Sequence, residues 1–312
     1  MIEEAISPVS AEKRPWMTFV GGFVFTIVAG LLTLQIGTSS PCNSGLGLLF
    51  VAFITIAATP FFLHIFKIEE KHKKGNILQR HGQVIEIMGF FFLSIIFASS
   101  VMLLLLPQAN SNYLFLDQTN DLVARNVISA QATAPITGIG EQSSGSCAGV
   151  QTGSQTTQAD QGFSFTGRAT ASLNFMDILV NNLKVMALAF VFSFVYGAGA
   201  IFIIAWNATI IGVLIAKIAV EPALFPQLGI IGNNLFVNYA LALPTMLLRL
   251  LPHGLFEFLA YFVAAIAGGI LSVGIIQEKF KFDYKLILRD SITYLTVAGL
   301  LLVIGAFIET SL

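Results

Sequence analysis

Charged side chains are scarce in this sequence. They make up 11% of its 312 residues, whereas 55% of the residues are hydrophobic. A soluble globular domain carries about 25% charged residues, so this composition excludes an ordinary soluble protein. The formal net charge is only -1, which gives the chain no overall electrostatic attraction for nucleic acid. The composition predicts instead a polytopic membrane protein of the all-α class.

Cysteine and histidine are also few, with two and four residues respectively. The sequence contains no CxxC pair, no HExxH motif and no histidine close to a cysteine. Metal-binding and redox sites are usually recognised by such patterns. We therefore expect no cofactor, no metal site and no catalytic residue, and we interpret the protein as non-enzymatic.

Three apolar segments occupy the N-terminal third of the chain, at residues 16–36, 46–66 and 84–106. Each is about as long as the 20 residues that an α-helix needs to cross a bilayer. The connection between the second and third segments, 67–81, is rich in lysine and arginine. By the positive-inside rule we expect this connection and the N-terminus to be cytoplasmic.

Residues 107–177 differ abruptly from their surroundings. They are mostly Ser, Thr, Gln, Gly, Asn and Ala, and their only basic residues are Arg125 and Arg168. A long polar connection with few basic residues predicts a flexible extracytoplasmic loop. This loop separates an N-terminal three-helix membrane region, 1–106, from a second membrane region, 178–312.

The second membrane region contains three full-length apolar segments, 185–205, 254–276 and 291–308, and two interrupted ones, 208–220 and 233–251. The charge pattern is satisfied if one interrupted segment crosses the bilayer and the other is re-entrant or interfacial. The sequence does not show which one crosses. We predict seven spans plus one re-entrant or broken helix, with the C-terminus extracytoplasmic.

Asn207 is the candidate cap of the broken helix. It follows an interruption at Trp206 and precedes the segment 208–220, which is too short to cross a bilayer unaided. An asparagine side chain can accept hydrogen bonds from the free N–H groups at a helix start. The alternative is that Asn207 binds an ion or a substrate, as in transporters with discontinuous helices.

Ionisable residues gather around the sequence LPHGLFE, where His253 and Glu257 lie one helical turn apart. A charge in hydrocarbon is costly unless it is paired or hydrated. The predicted topology puts Lys184 and Arg249 near the same membrane face, so we predict a structural polar cluster of these four residues in which a cation pairs with Glu257. The alternatives are a site for a lipid headgroup, ion or partner peptide, and a zinc site, for which no third ligand is visible.

Several short motifs of the second membrane region recur in a known family. They are Asn181-Asn182, Gly197 with Gly199, Asn207 followed by Gly212, Pro252-His253-Gly254 with Glu257, and Gly268-Gly269. On these residues, the stretch 177–308 resembles the stage II sporulation protein M family of bacterial and archaeal membrane proteins. The resemblance implies a non-enzymatic envelope protein, because the name-giving member is a membrane scaffold that recruits cell-wall hydrolases during engulfment.

The predicted function is that of a scaffold or envelope-remodelling component of the prokaryotic plasma membrane. Its expected partners are the lipid bilayer and other envelope or membrane proteins, and self-association into a homo-oligomer is left open. One alternative is a transporter or channel that uses the broken helix at Asn207 and the cluster around Glu257. Another is an intramembrane metal-dependent enzyme. A water-filled path to the middle of the bundle would favour transport, whereas a dry interior would count against it.

We predict a disulfide bond between Cys42 and Cys147. The predicted topology puts both residues on the extracytoplasmic side, where paired thiols are usually oxidised. The alternatives are two free cysteines or a disulfide to a partner protein. Alkylation of intact cells without reductant should leave both residues unmodified, and prior reduction should make both reactive. Modification of both thiols without reductant would contradict the prediction.

Overall fold

The fold is all-helical in the part of the chain that the structure, a computed structural model, describes. The described residues are 14–37, 45–69, 77–124, 174–196, 199–222, 225, 228–230, 234–276 and 280–311. Helices account for most of these ranges, and no strand occurs in them. Seven of their helices are long and apolar enough to cross a membrane. The predicted fold class is therefore confirmed.

The described ranges contain nine helices, which we number in chain order. They are α1 (Met17–Gly37), α2 (Leu46–Glu69), α3 (Ile77–Leu105), α4 (Gln108–Leu114), α5 (Leu116–Ala124), α6 (Phe175–Tyr196), α7 (Ala200–Val220), α8 (Leu235–Ile276) and α9 (Phe280–Ser311). The two short helices, α4 and α5, are not candidate spans. We call the end of the bundle at which α3 ends and α6 begins the loop end.

Helix α7 forms the centre of the bundle. Its sequence, AIFIIAWNATIIGVLIAKIAV, is apolar on every face, and most of its side chains are buried. It packs against α2, α3, α5, α6 and α8. A helix that is hydrophobic all round is stable only where lipid or other helices cover it. In this bundle other helices cover most of α7, which joins the N-terminal helices to the C-terminal ones.

The helix break expected at Trp206 and Asn207 does not occur. Helix α7 continues through both residues, and Nδ2 of Asn207 donates a hydrogen bond of 2.8 Å to the carbonyl oxygen of Ile203. Because this bond satisfies the side chain within the helix, the polar residue does not end the apolar run. Asn207 is therefore not a cap. The break lies at Gly199, where a Cβ atom would collide with the backbone of Phe192.

Helix α8 is 42 residues long and contains Pro244 and Pro252. At 1.5 Å per residue its length is about 63 Å, roughly twice the thickness of a bilayer core. A proline inside a helix removes one backbone hydrogen bond and clashes with the preceding turn, so it permits a bend. Such a helix does not have to cross the bundle in a straight line.

Two contacts with α3 show that the first part of α8 is steeply inclined. The Tyr239 hydroxyl lies 2.6 Å from Oγ of Ser100, and the rings of Phe258 and Phe92 have their centroids 4.4 Å apart. The two contacts are about 28 Å apart along α8 but only about 12 Å apart along α3. The α8 segment before Pro252 therefore runs obliquely across the loop end, and the segment after it lies along α6 and α9.

The helix bounds and the inclination of α8 show which of the two interrupted segments, 208–220 or 233–251, does not cross the bundle as a separate helix. The segment 208–220 belongs to the full-length helix α7, whereas 233–251 contributes the oblique part of α8. The two predicted segments 233–251 and 254–276 are one continuous helix over the described residues, rather than two helices separated at Pro252.

The polar loop predicted for 107–177 begins with ordered structure. Helices α4 and α5 fold back onto the loop end, with Leu114 and Phe115 buried. Oδ2 of Asp117 accepts hydrogen bonds from the backbone N–H groups of Gly47, at 2.9 Å, and Leu48, at 3.2 Å. These N–H groups have no partner within α2, so Asp117 caps that helix from another part of the chain.

The rest of the loop, 125–173, lies outside the described residues, and so do both cysteines, Cys42 and Cys147. The disulfide between them stays a prediction from the sequence.

Two pairs of helices cross closely because a glycine lies at each crossing point, as is common in membrane bundles. Where α3 and α7 cross, a Cβ atom at Gly212 would lie 2.6 Å from the Ile96 carbonyl oxygen. Where α6 and α8 cross, a Cβ atom at Gly268 would collide with the Phe190 carbonyl oxygen and lie 2.9 Å from the Phe194 nitrogen. Backbone atoms cannot rotate away, so each crossing depends on its glycine.

Replacing Gly268 by alanine should push α6 away from α8. We expect a loss of about 1–3 kcal/mol in unfolding free energy, which is typical of overpacking. The matched control is Gly299→Ala in α9, where a Cβ atom would meet nothing within 4 Å. This control should be neutral or more stable by up to about 1 kcal/mol, because alanine favours a helix over glycine. Equal stability of the two variants in detergent unfolding would contradict the close crossing.

Candidate functional site: a buried carboxyl cluster

A buried polar cluster lies towards the loop end, where α6, α8 and α9 meet. Its centre is Glu257 of α8, which is 7% exposed. Asn182 of α6 and Glu309 of α9 contact its carboxyl group. We call Asn182, Glu257, Tyr261 and Glu309 the carboxyl cluster. A charged or polar group this well buried needs hydrogen-bonding partners.

Asn182 is the partner that α6 supplies. It is fully buried and lies in a stripe with Ile178 and Val185, at the spacing of one helix face. Its Nδ2 donates a hydrogen bond to Oε1 of Glu257, and its Oδ1 accepts one of 3.1 Å from the Tyr261 hydroxyl. Both ends of the amide are therefore used, which fixes the orientation of the side chain.

Glu309 is the partner that α9 supplies. The helices approach closely one turn earlier, where a Cβ atom at Gly305 would lie 3.3 Å from Cγ of Glu257 and 3.4 Å from the His253 carbonyl oxygen. Residues four apart lie on the same face of a helix. Glu309 therefore faces α8 as well, and its carboxyl group lies within hydrogen-bonding reach of Glu257.

His253 lies one turn before Glu257 and is half-buried. Its Nδ1 atom is buried and has no hydrogen-bond partner within the described part of the chain. Among the described residues, no three His, Cys, Asp or Glu side chains come together as ligands of one metal ion. The carboxyl cluster therefore differs from a zinc centre with three protein ligands.

The partners predicted for Glu257 need correction. Lys184 and Arg249 are both exposed, and the groups that contact the Glu257 carboxyl are Asn182 and Glu309. Lys184 lies two positions after Asn182, so it projects from a different face of α6. Glu257 is therefore held by a neutral amide and a second carboxyl group instead of a cation.

Sequence reasoning missed Glu309 altogether and treated Asn182 only as part of a family motif. A signal existed for Asn182, because it is the polar member of an otherwise apolar helical stripe. For Glu309, the signal was a lone carboxylate close to the end of the last apolar segment. Neither signal identifies the helix that its residue faces.

A bundle of seven apolar helices with a polar cluster buried between three of them defines the protein as a multi-pass integral membrane protein. The model of the family named Stage II sporulation protein M matches residues 87–312. The chain belongs to this family. The match begins within α3, so it extends further towards the N-terminus than the resemblance over 177–308.

A relative is known from Methanocaldococcus jannaschii, the uncharacterized protein MJ0793. It is 31% identical to the chain over 140 residues, which cover 44% of this chain and 68% of the relative. No solved structure matches the chain at a significant level.

Replacing Asn182 by leucine should destabilise the bundle. The change removes the only neutral donor that contacts Glu257 in the described structure, and leaving a buried acceptor unsatisfied costs about 1–3 kcal/mol. The matched control is Lys184→Ala on the exposed face of the same helix, which should change stability by less than about 0.5 kcal/mol. If Lys184→Ala lowers the melting temperature in detergent more than Asn182→Leu does, the hydrogen bond between Asn182 and Glu257 does not stabilise the bundle as proposed.

Proposed function

We propose that the protein is a non-enzymatic scaffold of the prokaryotic plasma membrane, which holds other envelope proteins at its extracytoplasmic face. Membership of the Stage II sporulation protein M family supports a multi-pass membrane protein of this kind. The observation that carries the proposal is the burial of α7 among apolar side chains at the centre of the bundle.

The burial of α7 among apolar side chains counts against the alternative function, a transporter. Transporters commonly bind their substrates near the middle of the bilayer, where broken helices expose backbone groups. Helix α7 is unbroken, and the polar side chains near its middle bond within the helix. Asn207 donates to Ile203, and the hydroxyl of Thr209 donates to the Trp206 carbonyl oxygen at 2.8 Å.

Large side chains fill the space around α7. Phe50 and Ile54 of α2, and Phe91 and Ile95 of α3, are buried in the same apolar core as the side chains of α7. In the described part of the bundle, apolar side chains occupy the interior around α7.

We further propose that the protein lies in the membrane with its N-terminus in the cytoplasm and its C-terminus outside. Basic residues lie in 67–81, between the main parts of α2 and α3, and in 279–289, around the start of α9. The described helix ends next to these residues, at Glu69 of α2, Ile77 of α3 and Phe280 of α9, lie at the end of the bundle opposite the loop end. The positive-inside rule therefore supports a cytoplasmic position for that end, and the loop end is the face at which we expect partners.

Site-specific cross-linking tests the scaffold in native membranes. A photo-reactive residue in place of the exposed Asn120 of α5 should capture a reproducible set of envelope proteins. The matched control is the same residue in place of Val191, which is exposed on the membrane-spanning helix α6 and should cross-link mainly to lipid. Equal capture at the two positions, or solute flux through vesicles that contain the purified protein, would contradict the proposal.

A further inference from the structure

The contact between Glu257 and Glu309 joins two groups that carry the same charge when ionised. An ionised carboxylate has only hydrogen-bond acceptors, so a hydrogen bond between two carboxyl groups requires a proton on one of them. The carboxyl groups approach each other where α8 and α9 pack closely around Gly305. A buried pair with two negative charges would repel strongly, because the surroundings screen the charges poorly.

Among the described residues, no cationic group takes part in the contacts of Glu257 and Glu309. From α6 the contacting group is the neutral amide of Asn182, while Asp177 and Lys184 of that helix are exposed.

The other two helices complete the surroundings of the pair. On α8, the exposed Arg249 lies two turns before Glu257, His253 lies one turn before it, and Tyr261 lies one turn after it with its hydroxyl turned to Asn182. On α9, Glu309 itself is the ionisable residue of the last turns.

We propose that Glu257 and Glu309 form a proton-binding site, in which one shared proton holds the end of α9 against α8 and α6. Loading the site transfers a proton from water to one carboxyl group, which then donates a hydrogen bond to the other. Unloading returns the proton to water and leaves two carboxylates that repel each other. Glu309 is only partly buried, so the proton exchanges from the aqueous phase at the loop end.

The last turn of α9 contains side-chain hydrogen bonds of its own. Thr310 and Ser311 bond back to the carbonyl oxygens of Ala306, at 3.0 Å, and Phe307, at 2.7 Å. These bonds satisfy the two hydroxyl groups within α9 itself. Thr310 and Ser311 therefore need no partner on α8, whereas Glu309 of the same turn contacts Glu257 of that helix.

Infrared spectroscopy tests for the shared proton directly. The purified full-length protein in lipid nanodiscs at neutral pH should show the C=O stretch of a protonated carboxyl group. The Glu257→Gln and Glu309→Gln changes combined should remove this band, and the control Asp177→Asn, which changes an exposed carboxylate, should leave it in place. Absence of the band in the wild-type protein would overturn the proposal, and so would its persistence in the double variant.

The pH dependence of stability gives a second, independent test. The folded protein holds a proton that the unfolded chain releases, so stability should fall as the pH rises through the release. A histidine buried in its neutral form would give the opposite dependence. The double glutamine variant keeps the hydrogen bonding without titration, so its melting temperature should not show this fall. A wild-type melting temperature that rises with pH, or falls equally in the variant, would overturn the proposal.

Discussion

The structure depends on enclosing one helix, α7, that is apolar on every face. Every polar group around it must be satisfied without water, which is the general constraint on helices inside a bilayer. Asn207 and Thr209 meet this constraint within α7 itself. Ser99 of α3 meets it in the same way, with a hydrogen bond of 2.6 Å to the Ile95 carbonyl oxygen. Gly212 then lets α3 and α7 approach until their backbones nearly touch. The carboxyl cluster lies outside this apolar centre, between α6, α8 and α9.

The number of spans could be predicted from the sequence because it rests on long windows. Over about 20 residues the hydrophobic contributions add up, and the positions of lysine and arginine limit the order of crossings. The break at Asn207 could not be predicted in this way, because one polar side chain can bond within its own helix or at a helix start. Pro252 was similarly ambiguous, since proline is tolerated in the first turn of a helix and also at a bend in a long one.

The candidate site was predictable only in part. Glu257 stands out in the sequence because carboxylates are expensive in apolar helices. Its contacts with Asn182 and Glu309 depend on how each helix is rotated about its axis and on where α8 bends. Neither quantity follows from the composition of a single helix. Charge complementarity suggested Lys184, whereas the burial pattern of α6 turns Asn182 towards α8 and Lys184 away from it.

Asp117 has a mechanical consequence for the segment that follows it. Its carboxylate joins α5 to the first turn of α2, while α5 is connected through α4 to the end of α3. A pull on the chain beyond Ala124 is therefore shared between α3, to which the segment is connected, and the first turn of α2, about 70 residues before Asp117 in the sequence. The segment after Ala124 is therefore anchored to both α2 and α3. Tension on it is not borne by one helix alone.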